Sequence, residues 1–297
     1  MKKAILLVWM ATALKGILTG QDPEPVKPSI FVNSEGQIYY NRNLPVYLWI
    51  SGSPEENAPA YRLTSDTSRK YTNPMYWDCE GEHTVFAPRS VDTLKKQAAD
   101  PQSKVVFHVM ADSKSPVTRA RLSGKSLITR NGVNFYSGSI AITLSAKDLT
   151  SGISSTYFSL NGKPFEKYTG PLAIETDGEY FLAYYSVDLV GNREEKKDGK
   201  FLLDNGAPVT SSSFDGLEDG RISLKTMLVL KSSDGISGVK NIVYCINQGP
   251  ETVYTRPIPA GRLADGKSSI SFYAVDNLLN REKPQTVTGN LKSTEEK

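Results

Sequence analysis

Acidic side chains that recur at matching positions are the residues of this sequence that most suggest chemistry. They form two sets: Asp148, Asp188 and Glu194, followed by Asp234, Asp276 and Glu282. Carboxylate oxygens are the ligands that Ca²⁺ prefers, so each set could hold a calcium ion if folding brought its members together. The dense D-x-D-x-D loop that would support this hypothesis is missing. We therefore assign no metal ligand and expect these acids to hold turns, with calcium as the alternative.

Several familiar catalytic signatures are absent, including G-x-S-x-G, H-E-x-x-H, C-x-x-C and G-x-G-x-x-G. The chain has two histidines, His83 and His108, and two cysteines, Cys79 and Cys245. The cysteines fall in the first and third of the repeats described below, so we expect two unpaired thiols rather than a disulfide. We predict that the protein is not an enzyme and requires no cofactor.

Aromatic residues supply the candidate binding site. Tyr76 and Trp77 follow a Y-T-N-P segment, at a loop position where exposed rings can form a contact surface. We predict both as ligand-binding residues, with the alternative that Trp77 packs into its own core. Trp49 alternates within residues 46–50 and is expected in a core.

The first 20 residues have the pattern of a secretory signal peptide. Lys2 and Lys3 precede an apolar run of eleven residues, Ala4 to Leu14, which is too short to span a bilayer. Cleavage is expected after Ala13 or after Gly20, and an uncleaved amphipathic helix is the alternative. Beyond this segment no apolar stretch of 18 residues follows, so no transmembrane span is expected.

Removal of the signal peptide changes the charge balance. The 297 residues include 35 basic and 32 acidic side chains, and residues 1–20 carry three lysines and no acid. The remaining chain has 32 basic groups against 32 acidic groups, so its net charge is close to zero. Nucleic-acid binding therefore loses its main electrostatic argument.

The sequence repeats itself three times. A Y-T-x-P segment is followed about twenty residues later by a V-D pair; the three tyrosine–aspartate pairs are Tyr71 and Asp92, Tyr168 and Asp188, and Tyr254 and Asp276. Pro116 and Pro208 stand at matching junctions. We predict three domains, at residues 29–114 (the divergent copy), 115–206 and 207–293, after a proline-rich lead-in at 21–28 and before a tail at 294–297.

Alternating apolar and polar residues predict β-strands in each repeat. Such runs occupy residues 105–110, 141–146, 157–160, 180–187 and 270–275. The stretch from Val91 to Ala99 is the only one expected to be helical. We predict an all-β protein made of three tandem immunoglobulin-like antiparallel β-sandwich domains, with a single membrane barrel as the alternative.

The residues that the repeats share look structural. Asp188 and Asp276 sit where a strand enters a turn and are expected to accept turn N–H bonds. Gly152 and Gly238 suit positions with positive φ. The repeated tyrosines Tyr71, Tyr168 and Tyr254 are expected to bury their rings near a corner of the sandwich.

The combined pattern resembles the bacterial Ig-like repeat of leptospiral outer-membrane surface proteins. In the second repeat it is carried by Asp148, Ser151, Gly152, Tyr168, Pro171, Tyr185, Val187, Asp188, Gly191 and Asn192. In the third repeat it is carried by Asp234, Ser237, Gly238, Tyr254, Pro257, Tyr273, Val275, Asp276 and Asn280. The first repeat matches only in its later half, and Leu279 replaces the usual glycine in the third.

This resemblance implies surface exposure and attachment to host extracellular matrix such as elastin or fibronectin. We therefore expect an exported, non-enzymatic protein at the outer membrane or cell surface that binds a protein or glycan partner. The second hypothesis is a scaffold or glycan-binding module of the periplasm or envelope. The third hypothesis is that the protein is an accessory domain of an enzyme.

Overall fold

The computed structural model describes residues 26–47, 49–51, 53, 55, 57–62, 76–77, 79–86, 91–92, 97–98, 105–261, 263 and 268–288. The predicted signal peptide, most of the lead-in, the tail and Tyr71 lie outside these residues. Within them, no helix is both long enough and apolar enough to cross a membrane. Cys79 is exposed and Cys245 is half-buried, and no disulfide joins them in the structure.

The first repeat contains short strands and one four-stranded sheet. Its described strands are β1 Ile30–Val32, β2 Ile38–Asn41, β3 Trp49–Ser51, β4 Ala60–Arg62, β5 Gly81–Phe86, β6 Val91–Asp92, β7 Gln97–Ala98 and β8 Val105–Asp112. The sheet has the order β1-β2-β8-β5, in which β2 and β8 are parallel. Val109 and Ala111 of β8 pack with Trp77 in a small core.

Two sequence predictions for the first repeat are wrong. The stretch expected to be helical instead holds β6 and β7, which pair in antiparallel fashion. Trp49 is 60% exposed rather than part of a core. It lies on β3, which pairs with β4 in a two-stranded sheet. An alternating pattern predicts a strand but does not tell which of its faces another layer covers.

The second and third repeats contain longer strands. In the second repeat these are β9 Val117–Ser123, β10 Ser126–Arg130, β11 Val133–Ser137, β12 Ile140–Lys147, β13 Ile153–Leu160, β14 Glu166–Lys167, β15 Leu172–Ile174, β16 Gly178–Asp188 and β17 Lys197–Leu203. In the third they are β18 Val209–Asp215, β19 Met227–Ser233, β20 Val239–Ile246, β21 Thr252–Val253, β22 Ile258–Pro259, β23 Ser269–Asp276 and β24 Gln285–Thr288.

Strand order in these two repeats is the same. The third repeat has sheets β18-β19-β22 and β21-β20-β23-β24, and the second has β9-β12-β15 and β14-β13-β16-β17 in matching positions, with β11 and β10 added beside β17. In the third repeat, Leu228 and Leu230 of one sheet share a buried core with Ile270 and Phe272 of the other. Two sheets that bury their facing sides form a β-sandwich. The predicted all-β fold of tandem sandwiches is confirmed.

Backbone contacts divide the described chain into two compact units. One unit holds the described residues up to Ala120 together with Leu144–Gly170 and Leu182–Asp198. The other holds Arg121–Thr143, Pro171–Phe181 and the described residues from Gly199 onward. The division into three domains at the sequence junctions stays a prediction.

A turn that the two repeats share contains glycine in one copy and leucine in the other. Gly191 has φ +92° and Leu279 has φ +71°. A left-handed backbone costs a non-glycine residue about 1–2 kcal/mol. The Leu279 side chain is 63% exposed, so its removal sacrifices little burial. A Cβ at Gly191 would lie 2.5 Å from the carbonyl oxygen of Lys27, which is a backbone atom that cannot turn aside.

Substitutions at these two positions should therefore have opposite effects. We expect Leu279→Gly to raise the free energy of unfolding by about 0.5–1 kcal/mol, because relief of strain exceeds the added entropy of the unfolded chain. Gly191→Ala should lower it by roughly 2 kcal/mol. Urea unfolding measures both changes. Gly199→Ala is the control, since its Cβ would meet no atom within 4 Å; destabilisation by Leu279→Gly would contradict the strain argument.

Candidate functional site

Three aspartates from separate parts of the sequence meet in the first unit. Asp112 ends β8, Asp148 follows β12, and Asp188 ends β16. One carboxylate oxygen of each lies within 4.8 Å of the other two. Asp112 and Asp188 are buried and Asp148 is half-buried. We call these three residues the first triad.

Backbone amides hold two of these carboxylates in place. Asp148 Oδ2 accepts hydrogen bonds from the amides of Thr150 and Gly152, both at 2.9 Å. Asp188 Oδ1 accepts from the amides of Val190 and Asn192, at 3.0 and 2.7 Å. Gly152 has φ +94°, the left-handed conformation predicted for it. The predicted turn-holding role of these acids is thus what the hydrogen bonds show.

Crowding changes how the first triad binds protons. Burial is the main cause that raises the pKa of Asp112 to about 6; hydrogen bonds oppose this rise, and the charges of Asp188 and Asp148 add to it. Burial also raises the pKa of Asp188, with a contribution from Asp148. Among the described residues, no lysine or arginine forms an ion pair with any of the three. The first triad is therefore a site where added positive charge would be favourable.

The same arrangement recurs in the second unit as Asp204, Asp234 and Asp276, which we call the second triad. Their carboxylate oxygens also lie within 4.8 Å of one another. The hydroxyl of Ser237 donates to Asp276 Oδ2 at 3.0 Å, and its amide donates to Asp204 Oδ2 at 2.9 Å. Burial raises the pKa of Asp204, as the nearby Asp234 also does.

Sequence reasoning found only part of these clusters. Four of its six acids lie in the triads, whereas Glu194 and Glu282 lie in neither. Asp112 and Asp204 were missed as members, although each begins the repeated junction segment that ends in P-V-T. That repeat was the signal that could have identified them, because residues at matching junctions occupy matching places in each copy of the fold.

Glu194 and Glu282 instead accept hydrogen bonds from backbone amides of neighbouring strands. Glu194 is 5% exposed and accepts hydrogen bonds from the amides of Thr118 and Ser186, at 3.0 and 2.8 Å. Glu282 accepts from the amides of Thr210 and Ala274, at 2.9 and 3.1 Å. Burial alone would raise the pKa of Glu282, but its hydrogen bonds outweigh burial and hold that pKa below the ordinary value of 4.5.

The predicted aromatic pair divides between surface and core. Tyr76 is 58% exposed, whereas Trp77 is 8% exposed and packs against Val109 and Ala111. Trp77 therefore packs in the core of the first repeat, which is the alternative stated for it in the sequence analysis. An open pocket of about 500 Å³ lies beside the pair, and its other lining residues are Arg42, Asn43 and Ser113. A role of either residue in binding stays a prediction.

The sequence also contains one phosphate-binding pattern. Residues 261–268 read G-R-L-A-D-G-K-S, which matches the P-loop pattern G-x-x-x-x-G-K-[ST]. In a P-loop the lysine and serine open a helix whose amides face the phosphates. Ser268 here leads directly into β23, a strand that pairs with antiparallel neighbours. The context that gives the motif its chemistry is therefore missing.

Comparison with known proteins finds solved structures of low similarity and no family. No protein-family model and no curated protein matches the chain. Among solved structures, it is similar to fibronectin(III)-like modules of CbhA from Clostridium thermocellum, with 15% identity and a TM-score of 0.29 over 60% of this chain and 100% of that chain. It is also similar to a 1.5-MDa bacterial ice-binding adhesin, with 11% identity and a TM-score of 0.28 over 60% of this chain and 65% of that chain. The class of the protein, a chain of tandem β-sandwiches, rests on its strand order.

Proposed function

We propose that this protein is an exported, non-enzymatic surface protein that binds a macromolecule through three β-sandwich domains. The proposal follows the resemblance of its repeats to those of leptospiral surface proteins. The partner we propose is host extracellular matrix such as elastin or fibronectin. The observation that carries this proposal is that the residues shared by the repeats serve a structural role. Asp188 and Asp276, for example, accept hydrogen bonds from turn amides, so the repeats share a structural use of these residues and we assign specificity to the unshared surface.

The unshared surface that we favour is the pocket beside Tyr76 in the first repeat. Tyr76 and Arg42 both line this pocket, and the Arg42 Nε atom donates to the carbonyl of Trp77 at 3.2 Å. Tyrosine and arginine supply a large share of the binding energy at protein interfaces. A guanidinium fixed to the backbone also loses little entropy when a partner binds.

Binding to immobilised matrix proteins tests this site. We expect residues 21–297 to bind elastin or fibronectin saturably, and Tyr76→Ala to weaken binding by at least about tenfold because a central aromatic contact is lost. Tyr61→Ala is the matched control, since Tyr61 is 74% exposed in the same repeat but does not line the pocket. Surface plasmon resonance gives both affinities.

Equal loss of affinity in the two tyrosine variants would reject the pocket as the binding site. Binding to polysaccharides but to no matrix protein would favour the glycan-binding alternative. Protease treatment of intact cells tests the location, because a surface protein should be cleaved and a periplasmic protein should be protected.

A further inference from the structure

An exposed patch of the first unit combines apolar and basic side chains. Leu149, in the turn after β12, is 80% exposed, and Val117, at the start of β9, is 57% exposed. Lys114 and Lys147 lie beside them, since all four residues line one open pocket of about 380 Å³. Arg119 follows Val117 on the exposed side of β9, because alternate residues of a strand share a face. We call these five residues the basic-apolar patch.

The three cations of this patch are open to solvent. Lys114, Arg119 and Lys147 are exposed, and none of them forms an ion pair within the described part of the chain. The exposed Lys200 and Lys225 instead pair with glutamates, at 2.7 and 3.6 Å. An exposed cation without an ion pair can bind an external anion with no internal contact to break first.

Carboxylates behind the patch do not account for its lysines. Lys114 lies near enough to Glu80 for their charges to interact, and the first triad borders the same pocket. The second triad is built in the same way, yet Gly206 and Ser233 occupy the positions equivalent to Lys114 and Lys147. Because three aspartates gather there without these cations, the formation of a triad does not require them.

The third repeat has the same frame without the patch. Alignment of the repeated junctions and turns places Ser211 at the position of Arg119 and Gly235 at the position of Leu149. Both turns are closed by an aspartate that accepts hydrogen bonds from backbone amides. The turn therefore forms without a leucine at its tip. A single exposed apolar side chain is common on protein surfaces, so its combination with three cations is what points to a partner.

We propose that the basic-apolar patch docks on the surface of an anionic lipid membrane. The projecting side chain of Leu149 enters the boundary between headgroups and acyl chains, and the three cations bind lipid phosphates. A membrane of this charge uses both halves of the patch, whereas a sulfated glycan would leave the leucine and the valine in water. An apolar protein surface would leave the cations without anions. This partner is additional to the proposed matrix partner and does not depend on it.

Vesicle co-sedimentation tests this proposal with residues 21–297, which omit the apolar N-terminal segment that could itself enter a membrane. Binding to phosphatidylcholine vesicles with about 30% phosphatidylglycerol should be at least about tenfold tighter than binding to phosphatidylcholine alone, and about 0.5 M NaCl should weaken it. Lys114→Gln combined with Lys147→Gln should lower the affinity about twentyfold, since each surface cation contributes a factor of about five. Lys225→Gln is the control, because Lys225 is exposed but already paired with Glu218. Circular dichroism shows whether each variant is folded.

Leu149→Ser separates insertion of a side chain from attraction between charges. It should lower the affinity for anionic vesicles at least about tenfold, because the burial of a leucine side chain is lost, and Leu149→Phe should keep the affinity. Leu224→Ser is the matched control, since Leu224 is 90% exposed and precedes a lysine that is paired with a glutamate. This control should bind as the unchanged chain does.

The proposal is wrong if anionic vesicles are bound no better than neutral ones, or if Leu149→Ser and Leu224→Ser have the same effect. Salt-sensitive binding to heparin without binding to anionic vesicles would also overturn it, because the partner would then be a sulfated polysaccharide. These outcomes are independent of matrix binding, since the vesicles contain no protein.

Discussion

Tyr185→Ala is expected to lower the free energy of unfolding by roughly 3–5 kcal/mol, the range for removing a buried aromatic ring. Tyr185 is 1% exposed, and its ring centroid lies 5.2 Å from that of Tyr157 and 5.0 Å from that of Phe165. The guanidinium of Arg193 covers the ring at 4.1 Å from its centroid. Removing the ring therefore leaves a cavity and also deprives three neighbours of their contacts.

Two variants show whether the ring carries this effect. Tyr185→Phe keeps the ring and should cost at most about 1 kcal/mol. Tyr184→Ala changes the next residue, whose side chain points to the other face of β16 and is half-buried, so its cost should be smaller. Denaturant unfolding monitored by circular dichroism measures all three. Similar losses for Tyr184→Ala and Tyr185→Ala would refute the assignment of Tyr185 as the centre of this core.

The tyrosine shows what the sequence could predict. Residues 180–187 alternate, and the structure places Tyr185 and Val187 in the core, as a strand with one covered face requires. The turn acids were also predictable, because a carboxylate beside a glycine or asparagine in a reversal has a standard use. In both cases the sequence pattern is local: the residues that form it lie within a few positions of the structure that they determine.

Other features depend on contacts between distant residues. The parallel pairing of β2 with β8, in which Ile38 lies opposite Val109, leaves no local pattern in either strand. The exposure of Trp49 depends on which layer covers β3. The first triad depends on Asp112, which is 36 residues before Asp148 in the printed sequence. Such features come from the register of strands and the covering of faces, which a single sequence does not encode locally.

Glu194→Gln is the second change with a large expected effect, about 3 kcal/mol of lost stability. The buried Glu194 carboxylate accepts hydrogen bonds from Ser186 and from the amide and hydroxyl of Thr118. It also forms an ion pair of 2.7 Å with Lys197. Glutamine has one acceptor oxygen, so its amide group would face a donor that the carboxylate now satisfies.

An exposed ion pair provides the matched control for this change. The Glu179 carboxylate and the Lys200 Nζ atom lie 2.7 Å apart, the same distance as in the pair of Glu194 and Lys197. The side chains of Glu179 and Lys200 are 43% and 37% exposed. Glu179→Gln should therefore cost about 0–1 kcal/mol, since water screens the pair and replaces it. Thermal or urea unfolding compares the two variants. Equal costs would show that burial of Glu194 contributes nothing to its role.

Glu282 allows the same argument to be tested by pH. Because its pKa in the folded protein is lower than the ordinary 4.5, its contribution to stability is present above that pH and is lost as pH falls through the folded pKa. Glu282→Gln should lower stability at pH 7 and should weaken the acid dependence below about pH 4.5. Urea unfolding across this range measures both effects. An unchanged acid dependence in Glu282→Gln would mean that the bonds to Thr210 and Ala274 do not stabilise the charged form.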